Sequence, residues 1–263
     1  MAMSDLSAEP GFTRLDSTEP VDDAELARLY AYPESDDGPR SWLRANFIGS
    51  IDGGATMAGK SGGLGSPGDR ALFMLLRALA DVVLVGAGTV RVENYGGARL
   101  NVTERLRRRD RGQSEVPGLA IVSRSGQLDR DARVFTDTEL PPLVLTSASA
   151  AEATRRRLDG RAEVLNCSAG DRDRVDEAAV LAALAGRGHH RVLTEGGPTL
   201  LGSFVERDLL DELCLTVAPY LVGGLARRIA TGPGEVATPM RCAHLLVDES
   251  GYLYGRYVKS ARL

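Results

Sequence analysis

Apolar positions along the chain follow two periods, and the exchange between them predicts the architecture. Between residues 66 and 80, Leu72, Leu75, Leu76 and Leu79 recur at i, i+3, i+4 and i+7, the stripe that a helix turns toward a core. Ser66-Pro67 supply a cap and a first-turn residue, so a helix is predicted there. Directly after it, Val82-Val83-Leu84-Val85 runs without a polar break, as a strand buried on both faces does, and ends in Gly86-Ala87-Gly88-Thr89. The same alternation predicts strands over 118–123, 142–146, 162–166 and 191–194, with helices over 148–158 and 175–185. Strands separated by helices give an α/β fold whose central strands are mainly parallel. After residue 211 the texture changes to Glu212-Leu213-Cys214-Leu215-Thr216-Val217-Ala218. Two final runs, 244–247 and 252–258, joined by Asp248-Glu249-Ser250-Gly251, predict an antiparallel hairpin on one edge of the sheet.

Before residue 41 this pattern is missing. Residues 1–40 are rich in Pro, Asp, Glu and Ser, and are expected to form an N-terminal arm with one short helix around 22–30. Its Leu26, Leu29, Tyr30 and Tyr32 would dock it. Compact structure is expected from Ser41, where SWLRANFI alternates loosely before the glycine-rich loop SIDGGATMAGKSGGLGSPGD. No repeat or linker interrupts residues 41–263, so one domain is expected there.

Composition narrows the possible functions. With 43% hydrophobic and 26% charged residues, the 263-residue chain is neither disordered nor collagen-like. Its net charge of -4 provides no global attraction to nucleic acid or to an anionic membrane, so any anion must be held locally. Cys167, Cys214 and Cys242 are far apart and form no CxxC pair; neither a metal site nor a disulfide framework is suggested, and a reducing cytoplasm fits. No signal-like N-terminus and no bilayer-length apolar run is found, so a cytoplasmic protein is expected.

Three glycine-rich segments stand at the C-terminal ends of proposed strands, where open α/β sheets bind ligands: SIDGG at 50–54, VGAGTV at 85–90 and TEGGPTLLGSF at 194–204. Glycine lets backbone N–H groups approach an anion, and Pro198 marks the first turn of a helix whose dipole would assist Gly196 and Gly197. Together they point to a nucleotide site. The dinucleotide fingerprint is not met, because residues 86–91 lack its third glycine. Residues 54–61 do satisfy GxxxxGK[ST], but the helix signal waits until Ser66 instead of starting at Lys60-Ser61, so a P-loop is rejected.

The ordered set SIDG, DR…LLR, VGAGTV followed by an acidic residue and Asn, IVSRSGQLD, LTEGGPTLLGSF and DELCLTVAPYLVGG resembles the reductase domain of the riboflavin-pathway pyrimidine deaminase/reductases, over roughly residues 41–260. The resemblance implies a dihydrofolate-reductase-like fold in which residues 41–263 are the reductase domain. It also implies NADPH as cofactor, reduction of 5-amino-6-(5-phosphoribosylamino)uracil to its ribitylamino product, and a homodimer. The deaminase half of such enzymes needs H-x-E and PCxxC; the histidines here, His189, His190 and His244, lie in neither motif, which implies a stand-alone reductase.

Carried over by residue, the resemblance implies that Gly86, Gly88, Thr89, Gly196, Gly197, Thr199 and Leu200 hold the nicotinamide and pyrophosphate. Ser123, Arg124 and Ser125 would meet the adenosine 2′-phosphate, with Arg124 as its bidentate partner. Asn46, Asp52, Ser61, Arg70, Arg77, Glu93, Arg99 and Glu195 fall in or near the substrate pocket. A carboxylic acid kept protonated by burial would supply the proton, and Glu195 and Glu93 are the candidates. Asp52 is a third, although an Asp in such a turn usually bonds backbone. The run Arg105-Leu106-Arg107-Arg108-Arg109 reads as a solvated loop.

Departures from the family pattern lie on the substrate side. Asn46 stands where the family commonly has a lysine, Gly65 where it has a threonine, and Glu93-Asn94-Tyr95 where it has Asp-Asn-Pro. Asparagine cannot replace a lysine's full charge against a phosphorylated substrate. Two alternatives therefore stay open: an NADPH-dependent reductase of another heterocycle such as dihydrofolate, with Arg77 or Arg99 pairing a glutamate carboxylate, and a nucleotide-binding protein without catalysis. The dimer contact is expected at 213–220 and the last hairpin, because edge strands need covering.

Overall fold

The computed structural model describes residues 20–34, 38 and 40–260. The part of the expected arm over residues 1–19 lies outside them. Nine strands occur among the described residues: β1 (Trp42–Ser50), β2 (Val82–Gly86), β3 (Gly118–Ser123), β4 (Leu143–Thr146), β5 (Glu163–Asn166), β6 (Arg191–Gly196), β7 (Glu212–Ala218), β8 (Met240–Val247) and β9 (Leu253–Lys259). They make one sheet in the order β5-β4-β3-β2-β6-β1-β7-β9-β8. Pairing is parallel from β5 through β7 and antiparallel for β7 with β9 and β9 with β8. The mixed sheet and its terminal hairpin match the sequence expectation.

Eight helices complete the described chain: α1 (Asp23–Leu29), α2 (Pro67–Leu79), α3 (Ala87–Val92), α4 (Val102–Asp110), α5 (Arg133–Thr136), α6 (Ala148–Leu158), α7 (Glu177–Ala185) and α8 (Pro198–Glu206). Local chemistry starts them. Ser66 Oγ accepts the Asp69 N–H at 3.0 Å and Pro67 follows it, so α2 begins there and the Lys60-Ser61 pair stays in the preceding loop. Asp176 and Ser147 cap α7 and α6 in the same way. Gly197 precedes Pro198 at the start of α8 with φ +70, a left-handed conformation that favours glycine.

The two faces of the sheet carry separate cores. Leu72, Leu76 and Leu79 of α2 and Leu158 of α6 pack with Val83, Val85, Ile121, Leu193 and Cys214 on one face. Val180 and Leu184 of α7 and Leu200, Leu201 and Phe204 of α8 cover Leu43, Ala45, Leu84, Ala120 and Val192 on the other. The central parallel strands are buried on both sides, which is why they read as unbroken apolar runs. Helix α1 adds Leu26 and Leu29 to the first core, and Tyr30 beyond its end is fully buried.

Two expectations need correction. The basic run 105–109 is helix α4, whose Asn101 side chain accepts the Glu104 N–H at 2.8 Å, and Arg108 within it is fully buried. Its Nη1 donates to the carbonyls of Ala78 and Ala80 at the C-terminus of α2 and its Nε to the Ser114 carbonyl, so the side chain facing the core is a guanidinium held by backbone oxygens. The helix has no apolar stripe to reveal it. Strand β7, expected at an edge, is flanked by β1 and β9; the edge strand of the hairpin is β8.

Candidate active site

The C-terminal ends of β1, β2 and β6 open into a cavity of about 1870 Å³. Ligand pockets usually enclose about 300–1,000 Å³, so this one has room for two ligands side by side. One side is built of glycine. Gly86 ends β2, and Gly196 ends β6 where its register with β2 shifts. A Cβ on Gly196 would lie 2.7 Å from Thr89 Cγ2, so only glycine permits this approach of β6 to α3. Gly86, Gly88, Thr89, Gly196, Gly197, Thr199 and Leu200 all line the cavity, and the space beside Gly88 is open.

The segment expected at the 2′-phosphate divides. Arg124 lines the far end of the cavity and also a shallow depression beside it, shared with Ser125, Ser147 and Ser149 at the N-terminus of α6. Ser123 does not belong to this group. It is buried, and its Oγ accepts the Gly126 N–H at 3.1 Å, which makes it a turn residue. Arg174, which no sequence motif singled out, joins Arg124 in the cavity wall.

Next to Gly196 in the chain, Glu195 of β6 is reached by Arg77 of α2 with two parallel hydrogen bonds, Nε to Oε1 at 2.7 Å and Nη2 to Oε2 at 2.6 Å. The Glu195 side chain is only 1% exposed, and Tyr95 donates its hydroxyl to Oε2 at 2.9 Å. Burial works against the Arg77 charge, yet the neighbouring Glu195 holds the guanidinium above its ordinary value. Burial and the same carboxylate push the Tyr95 phenol well above the usual range. Three donors are therefore aimed at the Glu195 carboxylate. Glu93 is engaged likewise: its Oε1 accepts the Ser61 N–H at 3.0 Å and the Ser61 hydroxyl at 2.9 Å.

The remaining substrate-side residues separate by position. Asn46, Ser61, Arg70, Arg77, Glu93, Arg99 and Glu195 line the cavity. Arg99 is exposed at its mouth and pairs with Asp137, which Arg133 also holds at 2.7 Å. Asp52 lies outside the cavity wall. Its carboxylate accepts the Ser50 hydroxyl and the N–H groups of Gly223 and Val222, which lower it to about 2 and tie the 222–223 backbone to the end of β1. The SIDGG segment is therefore a structural turn, and Asp52 is no proton donor.

Two side chains of the cavity wall escaped the sequence reading. Tyr95 was visible only as a departure from Asp-Asn-Pro, and its partner lies 100 residues away. Asp69 lines the cavity from the first turn of α2; burial raises its carboxyl above the ordinary value, with the Thr216 hydroxyl opposing. As a first-turn acid it looked like any helix-dipole residue.

Comparison with known proteins agrees with this geometry. The 2,5-diamino-6-ribosylamino-4(3H)-pyrimidinone 5′-phosphate reductase of Archaeoglobus fulgidus is 30% identical over 70% of this chain and 83% of its own length. The enzyme of the same name from Methanothermobacter thermautotrophicus is 32% identical over 77% of this chain and 90% of its own. Among solved structures, a pyrimidine reductase-like protein from Corynebacterium diphtheriae superposes with a TM-score of 0.76 at 26% identity, covering 84% of this chain and 93% of that one. A family model for the RibD C-terminal domain matches residues 41–254, a span holding strands β1 to β8 and the first two residues of β9, together with every residue lining the cavity. By that match and these relatives, the chain belongs to the RibD C-terminal domain family.

Proposed function

We propose that the protein is an NADPH-dependent reductase of riboflavin biosynthesis, which converts the ribosylamino group of a 6-(5-phosphoribosylamino)pyrimidine to ribitylamino. The observation that carries this reading is a single cavity large enough for two ligands, lined both by a glycine cradle and by the Arg77–Glu195–Tyr95 cluster. The names of the archaeal relatives support the substrate class.

The residues fit a dinucleotide. Gly86, Gly88, Gly196 and Gly197 line the cavity with bare backbone, and the nine-residue helix α8 begins directly after Gly197. At the far end, Arg124 and the hydroxyls of Ser125, Ser147 and Ser149 offer a charge-assisted place for a 2′-phosphate, the feature that separates NADPH from NADH. When bound, the cofactor supplies the hydride. The chain's own part is orientation: the Arg77–Glu195 pair braces α2 against the end of β6, and Ser61 and Glu93 tie two further lining segments together. Both glutamates are engaged as acceptors, so we assign them to positioning and leave the proton to solvent.

A second reading has one observation in its favour. Asn46 puts an amide where a lysine would meet a substrate phosphate, which suits a heterocycle without that phosphate, such as dihydrofolate. The deciding measurement is loss of NADPH absorbance with the phosphoribosylaminopyrimidine and dihydrofolate offered in parallel, with NADH and Glu195→Gln as controls. Turnover of the pyrimidine, faster with NADPH and reduced by Glu195→Gln, is expected. Turnover of dihydrofolate alone replaces the first reading by the second, and binding of NADPH with neither reduced leaves a nucleotide-binding protein.

The reading includes a cytoplasmic homodimer. The apolar side chains of Leu245 and Val247 on edge strand β8 and Leu253 on β9 are 38–51% exposed, which suits a covered face. Light scattering at twice the chain mass of 28.0 kDa is the expected result.

A further inference from the structure

The turn that joins β8 to β9 reaches across to the start of α2. Asp248 shapes that turn: its Oδ1 accepts the N–H groups of Ser250 and Tyr252 at 2.9 and 3.0 Å, and its Oδ2 accepts the Tyr254 hydroxyl at 2.6 Å. The Tyr254 oxygen in turn lies 3.2 Å from Ser66 Oγ, the same oxygen that caps α2 by accepting the Asp69 N–H at 3.0 Å. Tyr252, stacked on Tyr254, donates its own hydroxyl to the Leu64 carbonyl at 2.9 Å. Both tyrosines are buried. The packing leaves no slack, because a Cβ on Gly68 would lie 2.8 Å from Asp248 Oδ2 and closer still to the Tyr254 hydroxyl.

The direction of this chain is fixed by its carboxylate. An ionised Asp only accepts, and a hydroxyl has one proton to give. With the Tyr254 proton on Asp248, the Ser66 hydroxyl must donate to the Tyr254 oxygen, which leaves its lone pairs facing the Asp69 N–H. Burial and the neighbouring carboxylate push the Tyr254 phenol above its ordinary value, so it keeps the proton it donates. The carboxylate also stands beside the N-terminal turn of a 13-residue helix, where the dipole favours negative charge.

Among the described residues, none after Arg227 lines the cavity, so the hairpin meets a ligand only through what it holds. What it holds is the helix that presents Asp69, Arg70 and Arg77 there. We propose that Asp248 and Tyr254 are positioning residues: acting through Ser66, they fix the first turn of α2 and with it the pose of the side chains that meet the pyrimidine, while the glycine cradle for the cofactor is left to β2, β6 and α3. The inference rests on the reductase reading and extends it to residues outside the cavity.

The test uses the full-length protein and two near-isosteric variants, Tyr254→Phe, which removes the central hydroxyl, and Asp248→Asn, which allows a donor to face the Tyr254 oxygen. Each is expected to raise KM for the phosphoribosylaminopyrimidine at least about tenfold, since small misplacements far from the chemistry are costly, while NADPH affinity by fluorescence stays unchanged. Ser66→Ala combined with Tyr254→Phe is expected to cost no more than the larger single loss, as groups acting through one chain are not additive. Val180→Ala, in the core on the other face of the sheet, lowers global stability and is expected to leave KM as it is. Hydrogen exchange reads the clamp without turnover: in Tyr254→Phe the amides of residues 68–70 are expected to exchange at least about tenfold faster, with those of β1 and β7 unchanged. Faster exchange confined to 68–70 in a protein that reduces no substrate upholds the clamp and removes the reductase reading. Unchanged exchange there, additive losses in the double variant, or an equal rise of KM in Val180→Ala overturns the inference.

Discussion

Arg77 and Glu195 show how a single side chain carries structure and site together. The pair is nearly desolvated, with side chains 12% and 1% exposed, and its two-point geometry is what makes such burial tolerable. Removing one partner strands the other's charge, which costs about 3–5 kcal/mol. Arg77→Met is therefore expected to lower unfolding stability by about that amount in urea titrations, and to lose reductase activity with it. Asp69 behaves oppositely. Burial holds its carboxyl above the ordinary value, so the folded protein keeps that proton more readily than the unfolded chain. Its contribution is fully present below the unfolded carboxyl pKa of about 3.9 and is lost as pH rises through the folded value. Melting curves should show Asp69→Asn more stable than wild type at neutral pH, with the difference vanishing on acidification.

At the scale of elements, the site depends on how helix and strand ends meet. The C-terminus of α2 has its carbonyls taken by the following segment: Arg108 donates to Ala78 and Ala80, Arg111 to Ala78, and Gln113 to Leu79 and Ala80. Burial lowers the Arg108 guanidinium to about 10. That cluster locks the helix that presents Arg77, Asp69 and Arg70 to the cavity. The second junction is the approach of β6 to α3. Filling it costs about 1–3 kcal/mol of overpacking, because Thr89 must yield to any Cβ at position 196. Gly196→Ala is expected to weaken NADPH binding by about tenfold or more, equivalent to about 1.4 kcal/mol. Fluorescence titration measures it, and unchanged affinity would show that the glycine cradle does not hold the cofactor.

For the molecule as a whole, the cavity joins elements from both halves of the chain, so a ligand filling it binds the folded state alone. NADPH at about 100 times its Kd should stabilise the protein by about 2.7 kcal/mol, which for a chain of this size is a rise of about 5–10 °C in melting temperature. The rise is expected to shrink in Arg124→Ala and to be small with NADH. The N-terminal segment belongs to this unit. Arg44 and Glu212, both fully buried, pair at 2.6 Å, Arg256 adds a second guanidinium at 2.9 Å, and the two arginines donate to the Ala31 and Leu29 carbonyls. Burial alone would raise Glu212, but these two cations hold its carboxyl below the usual range. Its contribution is present above the unfolded glutamate value of about 4.3 and is lost as pH falls through the folded one.

Periodicity and capping are local, and so the chain alone determined most of the fold. The strand over 118–123 and the helix over 148–158 are found at those bounds, and Ser66-Pro67 starts α2 as expected. Helix α4 was hidden because its buried residue is an arginine, paired with carbonyls some 30 positions away, and hydrophobic patterning cannot register that. The glycine loops at 86–89 and 196–200 were legible as a cavity wall, because glycine at strand ends has a local meaning. Which carboxylates face which donors was not. Glu195 meets Arg77 and Tyr95 across 118 and 100 residues, Asp52 turns away to residues 222 and 223, and Asp69 joins the wall only through the packing of α2 on β7. A hydrogen bond is set by distances of about 3 Å, and only the folding of distant segments onto one sheet brings side chains that close.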